Sequence, residues 1–205
     1  GKISAKLAAR SVFEGLRSDT FTNDLPSSNE EQVLNAIDKL LSKTNQVLID
    51  ASKSVGEENY MRTTIVAILI RKRKIFLGHV GDSRVYLLRN NILEKLTRDH
   101  SLVQDLVFRG VYHQRKQKSS SIDSVTRVLG AKPNIEITTL AHEIKSGDRL
   151  LLCSDGLSDM LSDKEIEEIA NTEIHNLKKT TKNLIKFANR RGGRDNISVI
   201  LTQIP

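Results

Sequence analysis

The sequence predicts an α+β domain in which antiparallel strands are layered against helices. Two amphipathic helical patterns open the chain, and β-branched runs joined by short links follow them. Short links connect antiparallel strands, because a parallel pair needs a crossover of about a dozen residues or more. A strand, a helix pair and a last strand close the chain. Helices on the outside of antiparallel strands give the layered class.

The opening pattern predicts two helices, over residues 3–16 and 30–53. Ile3, Leu7 and Val12 recur at helical spacing in the first, and an apolar stripe runs along the second. A polar loop that contains Pro26 separates them. We expect the two helices to form an antiparallel pair that packs on a sheet.

Four strand-like runs follow the helices. The basic residues at 71–74 predict the first turn, and Asn90-Asn91 is a tight-turn signal for the last. We interpret the four runs as one antiparallel meander. They cover residues 63–70, 75–80, 85–89 and 92–96.

The second half of the chain predicts further strands and helices. Asp99 or Ser101 is placed to cap a short helix through residue 108, and a polar, basic insert over residues 110–121 lacks core periodicity. Ser162, with Glu165 three residues later, predicts a capping box. The remaining elements are an extended segment at 135–144, a turn at 146–148, a buried strand at 149–154, helices at 162–170 and 177–190, and a strand at 197–204.

Size and composition agree with a single domain over residues 1–205. Hydrophobic residues make up 38% and charged residues 28%, which is typical of a soluble, globular chain. No apolar run is long enough to cross a bilayer, and the start has no apolar signal-peptide core. Cys153 is the only cysteine, which excludes an internal disulfide and fits a reducing compartment. We therefore expect a cytoplasmic protein with no membrane partner.

The basic charge balance does not by itself indicate a nucleic-acid partner. The net charge is +7, but aromatic residues make up only 4% and Trp is absent. The chain therefore has few aromatic side chains on which the bases of single-stranded nucleic acid could stack. We interpret the charge as a solvated basic surface and expect no nucleic-acid partner.

Three aspartates in glycine-bearing turns carry the strongest chemical signal. Asp82 and Asp155 each end or follow a strand-like apolar run, and Asp195 lies just before one. Hard divalent cations such as Mg²⁺ and Mn²⁺ prefer carboxylate oxygens. Carboxylates that converge from strand ends therefore predict a metal site on a rigid frame.

The chain around these turns resembles the metal-dependent serine/threonine protein phosphatases of the PP2C family, bacterial type. Six collinear blocks carry the resemblance, which spans the chain from about Met61 to the C-terminus. Each block alone is a weak signal, whereas their common order is a strong one. They are Thr63-Thr64, GHVGDSRVY at 78–86, LTRDHSLV at 96–103, TRVLG at 126–130, GDRLLLCSDGL at 147–157 and GRDNISV at 193–199.

The resemblance implies a layered α-β-β-α sandwich of two antiparallel sheets flanked by helix pairs. It implies two or three Mn²⁺ or Mg²⁺ ions and a metal-activated water that hydrolyses phosphoserine or phosphothreonine in proteins. No covalent enzyme intermediate is needed. Cys153, in an apolar strand, is therefore expected to be a core residue. The implied partners are phosphorylated proteins, among them a Ser/Thr kinase or its substrates.

Matching the family motifs assigns roles to single residues. Asp155 and Asp195 match metal ligands, whereas Asp82 and Asp159 match a third, weaker site that Asp155 shares. Gly156 would let the backbone approach the metal waters, and Asn196 would support the last turn through its amide. Two alternatives stay open: Asp82 as a turn former with Arg84 as its local partner, and Asp159 as a surface N-cap near Met160.

Other residues near these motifs receive weaker assignments. The insert at 110–121 matches the family's variable flap, where Arg115, Lys116 and Lys118 would attract a phosphorylated substrate. A solvated basic loop is the alternative. Ser83 and Arg84 are expected to be structural, and His79 and His100 to pack or cap rather than transfer protons.

The chain departs from the family pattern at its start. The family's Asn-Glu-Asp stretch and Asp-Gly-Met-Gly-Gly turn do not precede Gly1, and Arg62 stands where a glycine commonly precedes the Thr-Thr pair. We expect N-terminal strands to be missing, through an incomplete record, which we favour, a truncation or a genuine loss. The alternative to a phosphatase is a catalytically inactive PP2C-like regulatory or phosphoprotein-binding module.

Overall fold

Two antiparallel sheets with helices make up the fold. The computed structural model describes residues 2–18, 21, 28–54, 56, 60–102, 125–174 and 176–205. The chain divides into two units, Gly1–Gly81 with His100–Glu143 and Asp82–Asp99 with Ile144–Pro205. Each unit contains one sheet. The predicted α+β class is confirmed, whereas the single domain over residues 1–205 stays a prediction.

The elements follow the predicted order closely. In the described residues no helix is long and apolar enough to cross a membrane. The helices are α1 (Lys2–Leu16), α2 (Glu30–Ser54), α3 (Asp155–Ser158), α4 (Asp163–Thr172) and α5 (Leu177–Arg190). The strands are β1 (Ile65–Arg71), β2 (Lys74–Val80), β3 (Arg84–Arg89), β4 (Ile92–Lys95), β5 (Thr138–Glu143), β6 (Arg149–Cys153) and β7 (Val199–Gln203).

In the first unit α1 and α2 run antiparallel, as predicted. The hydroxyls of Ser11 and Thr44 lie 3.0 Å apart, and Leu40 packs against Gly15. Later residues of α1 therefore contact earlier residues of α2. The apolar side of α2 packs with Phe76 of β2 in one hydrophobic cluster. The helix pair therefore covers the sheet β1-β2-β5, whose two pairings are antiparallel.

The hairpin between β1 and β2 has a shorter loop than the sequence pattern predicts. Arg71 pairs with Lys74 across the strands, so only Lys72 and Arg73 form the loop. Lys72 takes a φ of 53°. The predicted four-residue basic turn is therefore wrong in length, because two-residue loops match the natural twist of paired strands.

The predicted meander over four strands is also wrong, since β2 and β3 belong to different sheets. Gly81 takes a φ of 111°, and a Cβ there would lie 2.3 Å from Thr64 Cγ2. This left-handed glycine turns the chain out of the first sheet instead of closing a hairpin. β3 and β4 form the predicted tight hairpin, with Asn90 and Asn91 at φ values of 52° and 66°.

The second unit carries the sheet β4-β3-β6-β7 with α3, α4 and α5. The predicted capping box is present, because Ser162 Oγ accepts a hydrogen bond from Glu165 N at 3.3 Å and Glu165 Oε2 accepts one from Ser162 N at 3.0 Å. Cys153 is a core residue, as predicted: it is 4% exposed, and burial raises the pKa of its thiol to about 12.

Candidate metal centre

Strand pairing brings the three aspartate turns to one end of the second sheet. Arg84, the first residue of β3, pairs with Cys153, the last residue of β6. Cys153 also pairs with Val199, the first residue of β7. The turns at this end of the sheet carry Asp82, Asp155 and Asp195.

Asp82 and Asp155 are each affected electrostatically by other carboxylates of the candidate set. Burial, and then the negative charge of Asp155, raise the pKa of Asp82 to about 6, with smaller contributions from Asp99 and Asp159. Burial, and then the charges of Asp195 and Asp159, also raise the pKa of Asp155. Asp155 is therefore coupled to each of the other three candidate ligands.

The short helix α3 places Asp155 and Asp159 one turn apart. Asp155 opens the helix, and Asp159 N donates a hydrogen bond to Asp155 O at 2.8 Å. Residues four apart share one side of a helix. Asp159 closes α3 as its C-cap, and the N-cap of the following helix is Ser162. The alternative of Asp159 as an N-cap near Met160 is therefore wrong.

Backbone amides hold two of the carboxylates. Asp155 Oδ1 accepts a hydrogen bond from Gly156 N at 2.8 Å. Asp195 Oδ1 accepts bonds from Asn196 N at 2.6 Å and from Asn196 Nδ2 at 3.3 Å. The side-chain amide of Asn196 thus contacts Asp195, and its predicted supporting role stays a prediction.

The structure gives a packing reason for a glycine at position 156. The predicted close approach of its backbone to metal-bound waters stays a prediction. A Cβ on Gly156 would lie 2.4 Å from the carbonyl oxygen of Asn196. Its backbone therefore packs directly on the turn that carries Asp195.

Ser154, for which the sequence predicts no role, joins the same two turns. Its hydroxyl donates to Asn196 O at 3.0 Å and accepts from Ser198 N at 3.0 Å. The only sequence signal was a small hydroxyl residue directly before Asp155.

The donor set fits a hard divalent cation in chemistry and charge. Asp82, Asp155 and Asp195 are absent from the ion pairs among the described residues. Within the same residues, no group of three or more His, Cys, Asp or Glu side chains is arranged so that it could hold a metal ion, so the fit is one of chemistry and charge and not of geometry. Neighbouring carboxylates repel one another, and a divalent cation offsets that repulsion.

Arg84 is a structural residue, as predicted, but its partner is not Asp82. Arg84 Nη2 lies 2.6 Å from Asp99 Oδ2, and Arg84 Nε lies 3.0 Å from each oxygen of Asp99. Arg84 is therefore not the local partner of Asp82, whereas the interpretation of Asp82 as a turn former stays open. The sequence pattern around Asp99 predicts only a possible helix cap.

The two histidines near this turn pack in the interior, as predicted. His100 is 6% exposed and stacks on His79 with ring centroids 4.5 Å apart. His100 Nδ1 accepts a hydrogen bond from Gly81 N at 3.2 Å, and His100 Nε2 lies 2.9 Å from Thr138 Oγ1. This bonding indicates a structural role.

Comparison with known proteins identifies the family. The family model described as protein phosphatase 2C matches residues 1–202. The chain belongs to this family. The family consists of metal-dependent hydrolases, so the predicted enzyme class and the predicted use of Mn²⁺ or Mg²⁺ are confirmed.

Curated and solved relatives agree with this family. The serine/threonine phosphatase stp of Listeria monocytogenes is 32% identical over 204 residues, covering 99% of this chain and 79% of that protein. The structure of the S. agalactiae serine/threonine phosphatase has a TM-score of 0.85 and 30% identity, covering 100% of this chain and 84% of that one. The catalytic domain of PstP, solved with two manganese ions, has a TM-score of 0.79 and 29% identity, covering 100% of this chain and 82% of that one.

The predicted PP2C flap lies outside the described residues. The prediction concerned the insert at 110–121 and its basic residues Arg115, Lys116 and Lys118. The predicted short helix through residue 108 lies largely outside them as well.

Proposed function

We propose that this chain hydrolyses phosphoserine and phosphothreonine in proteins at a metal centre formed by Asp155, Asp195, Asp82 and Asp159. The main support is the strand pairing that brings the turns of Asp82, Asp155 and Asp195 to one end of the second sheet. Membership of the protein phosphatase 2C family supports the same chemistry.

The four carboxylates take different parts in the proposed centre. Asp155 and Asp195 hold the principal cations, while Asp82 and Asp159 hold a weaker one that Asp155 shares. When bound, such cations lower the pKa of a water molecule and neutralise the charge of the phosphoryl group.

The protein's own groups orient the ligands before a cation binds. Backbone amides donate to one oxygen each of Asp155 and Asp195, which restricts the rotation of both side chains. The hydroxyl of Ser154 ties the turn of Asp155 to the turn of Asp195. Such supporting contacts limit the reorganisation that binding requires.

Hydrolysis without a covalent enzyme intermediate agrees with the properties of Cys153, the only cysteine in the sequence. Burial raises the pKa of Cys153 to about 12, so its thiol stays protonated at neutral pH. A protonated, buried thiol is a poor nucleophile.

Substrate recognition is proposed to involve phosphorylated proteins, with Arg115, Lys116 and Lys118 attracting the phosphoryl group. Arginine and lysine bind phosphate through charge-assisted hydrogen bonds. A Ser/Thr kinase as partner and a cytoplasmic location stay predictions.

The test is release of phosphate from a phosphothreonine peptide by the full-length protein, with Mn²⁺ and with chelator. We expect Mn²⁺-dependent release that Asp195→Asn abolishes and Asp50→Asn, an exposed control on α2, leaves unchanged. No release with Mn²⁺ would overturn the proposal. Saturable Mn²⁺ binding without release would favour the inactive phosphoprotein-binding module.

A further inference from the structure

The turn that carries Asp82 is fixed on its N-terminal side by His100. His100 N donates a hydrogen bond to Gly81 O at 2.9 Å, and Gly81 N donates to His100 Nδ1 at 3.2 Å. Both backbone polar groups of Gly81 are therefore bound to one buried residue. The residue directly before Asp82 is thus held in place.

The same turn is fixed on its C-terminal side by Asp99, the neighbour of His100. Arg84 Nε lies 3.0 Å from each oxygen of Asp99, and Arg84 Nη2 lies 2.6 Å from Oδ2. The side chains of Arg84 and Asp99 are 18% and 7% exposed, so water screens the pair weakly. Bidentate arginine–carboxylate pairs fix geometry as well as charge.

Further contacts hold the guanidinium of Arg84 in one orientation. Arg84 Nη1 donates to Tyr86 Oη at 3.1 Å and lies 3.5 Å from Asp163 Oδ1. Tyr86 Oη in turn donates to Asp163 Oδ1 at 2.8 Å. Only Asp82 and Ser83 lie between the two anchored residues of the turn.

We propose that the Arg84–Asp99 pair is a positioning device that holds Asp82 in place for the weaker cation of the metal centre. The proposal rests on the proposed function, because it assigns Asp82 to that centre. Residues that orient a ligand typically change metal affinity by about 10-fold to 100-fold when they are replaced.

A positioning role and a simple charge effect predict opposite changes in cation affinity when Arg84 is replaced. Asp99→Asn leaves the positive charge of Arg84 beside the centre and weakens cation binding under either explanation. Arg84→Gln leaves the negative charge of Asp99, so a charge effect alone would strengthen cation binding. Loss of positioning would weaken it, and Arg84→Gln is therefore the decisive variant.

The chain provides a matched control pair at the other end of β3. Arg89 Nε lies 3.0 Å from Asp148 Oδ1, and Arg89 Nη2 lies 2.7 Å from Asp148 Oδ2. The Asp148 side chain is 3% exposed, comparable with Asp99. Arg89→Gln and Asp148→Asn thus break a similar bidentate pair without touching the turn of Asp82.

The experiment is a calorimetric Mn²⁺ titration of the full chain and its variants, with Asp82→Asn identifying the weaker site. We expect Arg84→Gln and Asp99→Asn to weaken that site by about 10-fold. The two control variants should keep the Mn²⁺ affinity of wild type. Amide hydrogen exchange without metal should become faster at residues 81–83 in Arg84→Gln and Asp99→Asn only.

The outcomes separate this proposal from the proposed function. A wild-type chain that binds no Mn²⁺ would overturn both. Binding that Asp82→Asn weakens but Arg84→Gln leaves unchanged or strengthens would overturn the positioning role alone. If Arg84→Gln does not fold, Arg84→Lys replaces it, because lysine keeps the charge and loses the bidentate geometry. Wild-type affinity in Arg84→Lys would then contradict the proposal.

Discussion

Asp155 is the residue that is coupled to each of the other three candidate ligands. Its charge raises the pKa of Asp82, and its own pKa is raised by burial and by the charges of Asp195 and Asp159. Such repulsion destabilises the charged forms of Asp82 and Asp155 until a cation offsets it. The residue therefore belongs to every part of the proposed centre.

Gly156→Ala is expected to lower both stability and Mn²⁺ affinity. The added Cβ would lie 2.4 Å from the backbone oxygen of Asn196, so the turns of Asp155 and Asp195 would have to separate. Overpacking of this kind costs about 1–3 kcal/mol in the free energy of unfolding. Urea denaturation and a Mn²⁺ titration measure the two effects, and wild-type values for both would contradict the close packing.

The thiol of Cys153 is expected to resist alkylation in the native protein. Burial raises its pKa to about 12, so it carries very little thiolate at about pH 8. Iodoacetamide labelling followed by mass spectrometry should show reaction only after unfolding in urea. Rapid labelling of the native chain would show that the thiol is accessible and ionised.

The candidate ligands could be predicted from the sequence, but the contacts that hold their turns in place could not. Asp82, Asp155 and Asp195 stand next to strand-like runs, and local pattern is sufficient to find them. The pairing of Arg84 with Asp99 joins residues 15 apart, and the contact of Ser154 with Asn196 joins residues 42 apart. Both contacts depend on how the strands pair, which no local pattern contains.

At the scale of elements, the capping box of α4 provides a test of helix stability. Ser162→Ala removes the hydroxyl that accepts from Glu165 N and should cost about 1 kcal/mol in the free energy of unfolding. Ser146→Ala, at an exposed turn position, is the control and should stay within about 0.5 kcal/mol of wild type. Equal urea midpoints for the two variants would argue against the cap.

The Arg89–Asp148 pair should make the second unit sensitive to acid. Burial alone would raise the pKa of Asp148, but hydrogen bonds from Arg89 and from Lys145 N outweigh it, and the pKa is lowered. The unfolded value is about 3.9. A carboxyl with a lowered folded pKa stabilises the fold above its unfolded pKa, and this contribution is lost as the pH falls through the folded value.

Asp148→Asn should therefore lower the free energy of unfolding by about 2 kcal/mol near neutral pH. The difference from wild type should shrink below about pH 4. Urea denaturation at a series of pH values measures both quantities. A difference that stays constant in acid would show that the charge of Asp148 does not contribute.

Most elements could be predicted because they are long and periodic or carry local signals. The bounds of α5 and the capping box of α4 follow directly from such signals. The short helix α3 was missed because four residues show no helical period. The prediction of a four-stranded meander was wrong because strand patterns do not specify which strands pair. The chain turns at Gly81, which has a left-handed φ, and β3 belongs to the other sheet.

At the scale of the whole molecule, the four candidate ligands all belong to one unit, formed by Asp82–Asp99 and Ile144–Pro205. Its hydrophobic cluster includes residues next to the ligands, among them Cys153 and Leu157. Cation binding should therefore stabilise this unit against unfolding.

Mn²⁺ should raise the melting temperature in proportion to its occupancy of the centre. A ligand at about 100 times its Kd stabilises the folded state by about 2.7 kcal/mol. Calorimetric melting at increasing Mn²⁺ measures the effect, with Asp195→Asn as the variant that should respond less. A melting temperature that Mn²⁺ leaves unchanged would be inconsistent with binding to the folded chain.

The central claim is that Asp155 is the carboxylate shared by all cations of a PP2C-type centre. A calorimetric Mn²⁺ titration of Asp155→Asn, beside wild type and the exposed control Asp50→Asn, tests it most directly. We predict saturable binding to wild type and to the control, and loss of binding at every site in Asp155→Asn. Mn²⁺ binding by Asp155→Asn with wild-type affinity and stoichiometry would contradict the account.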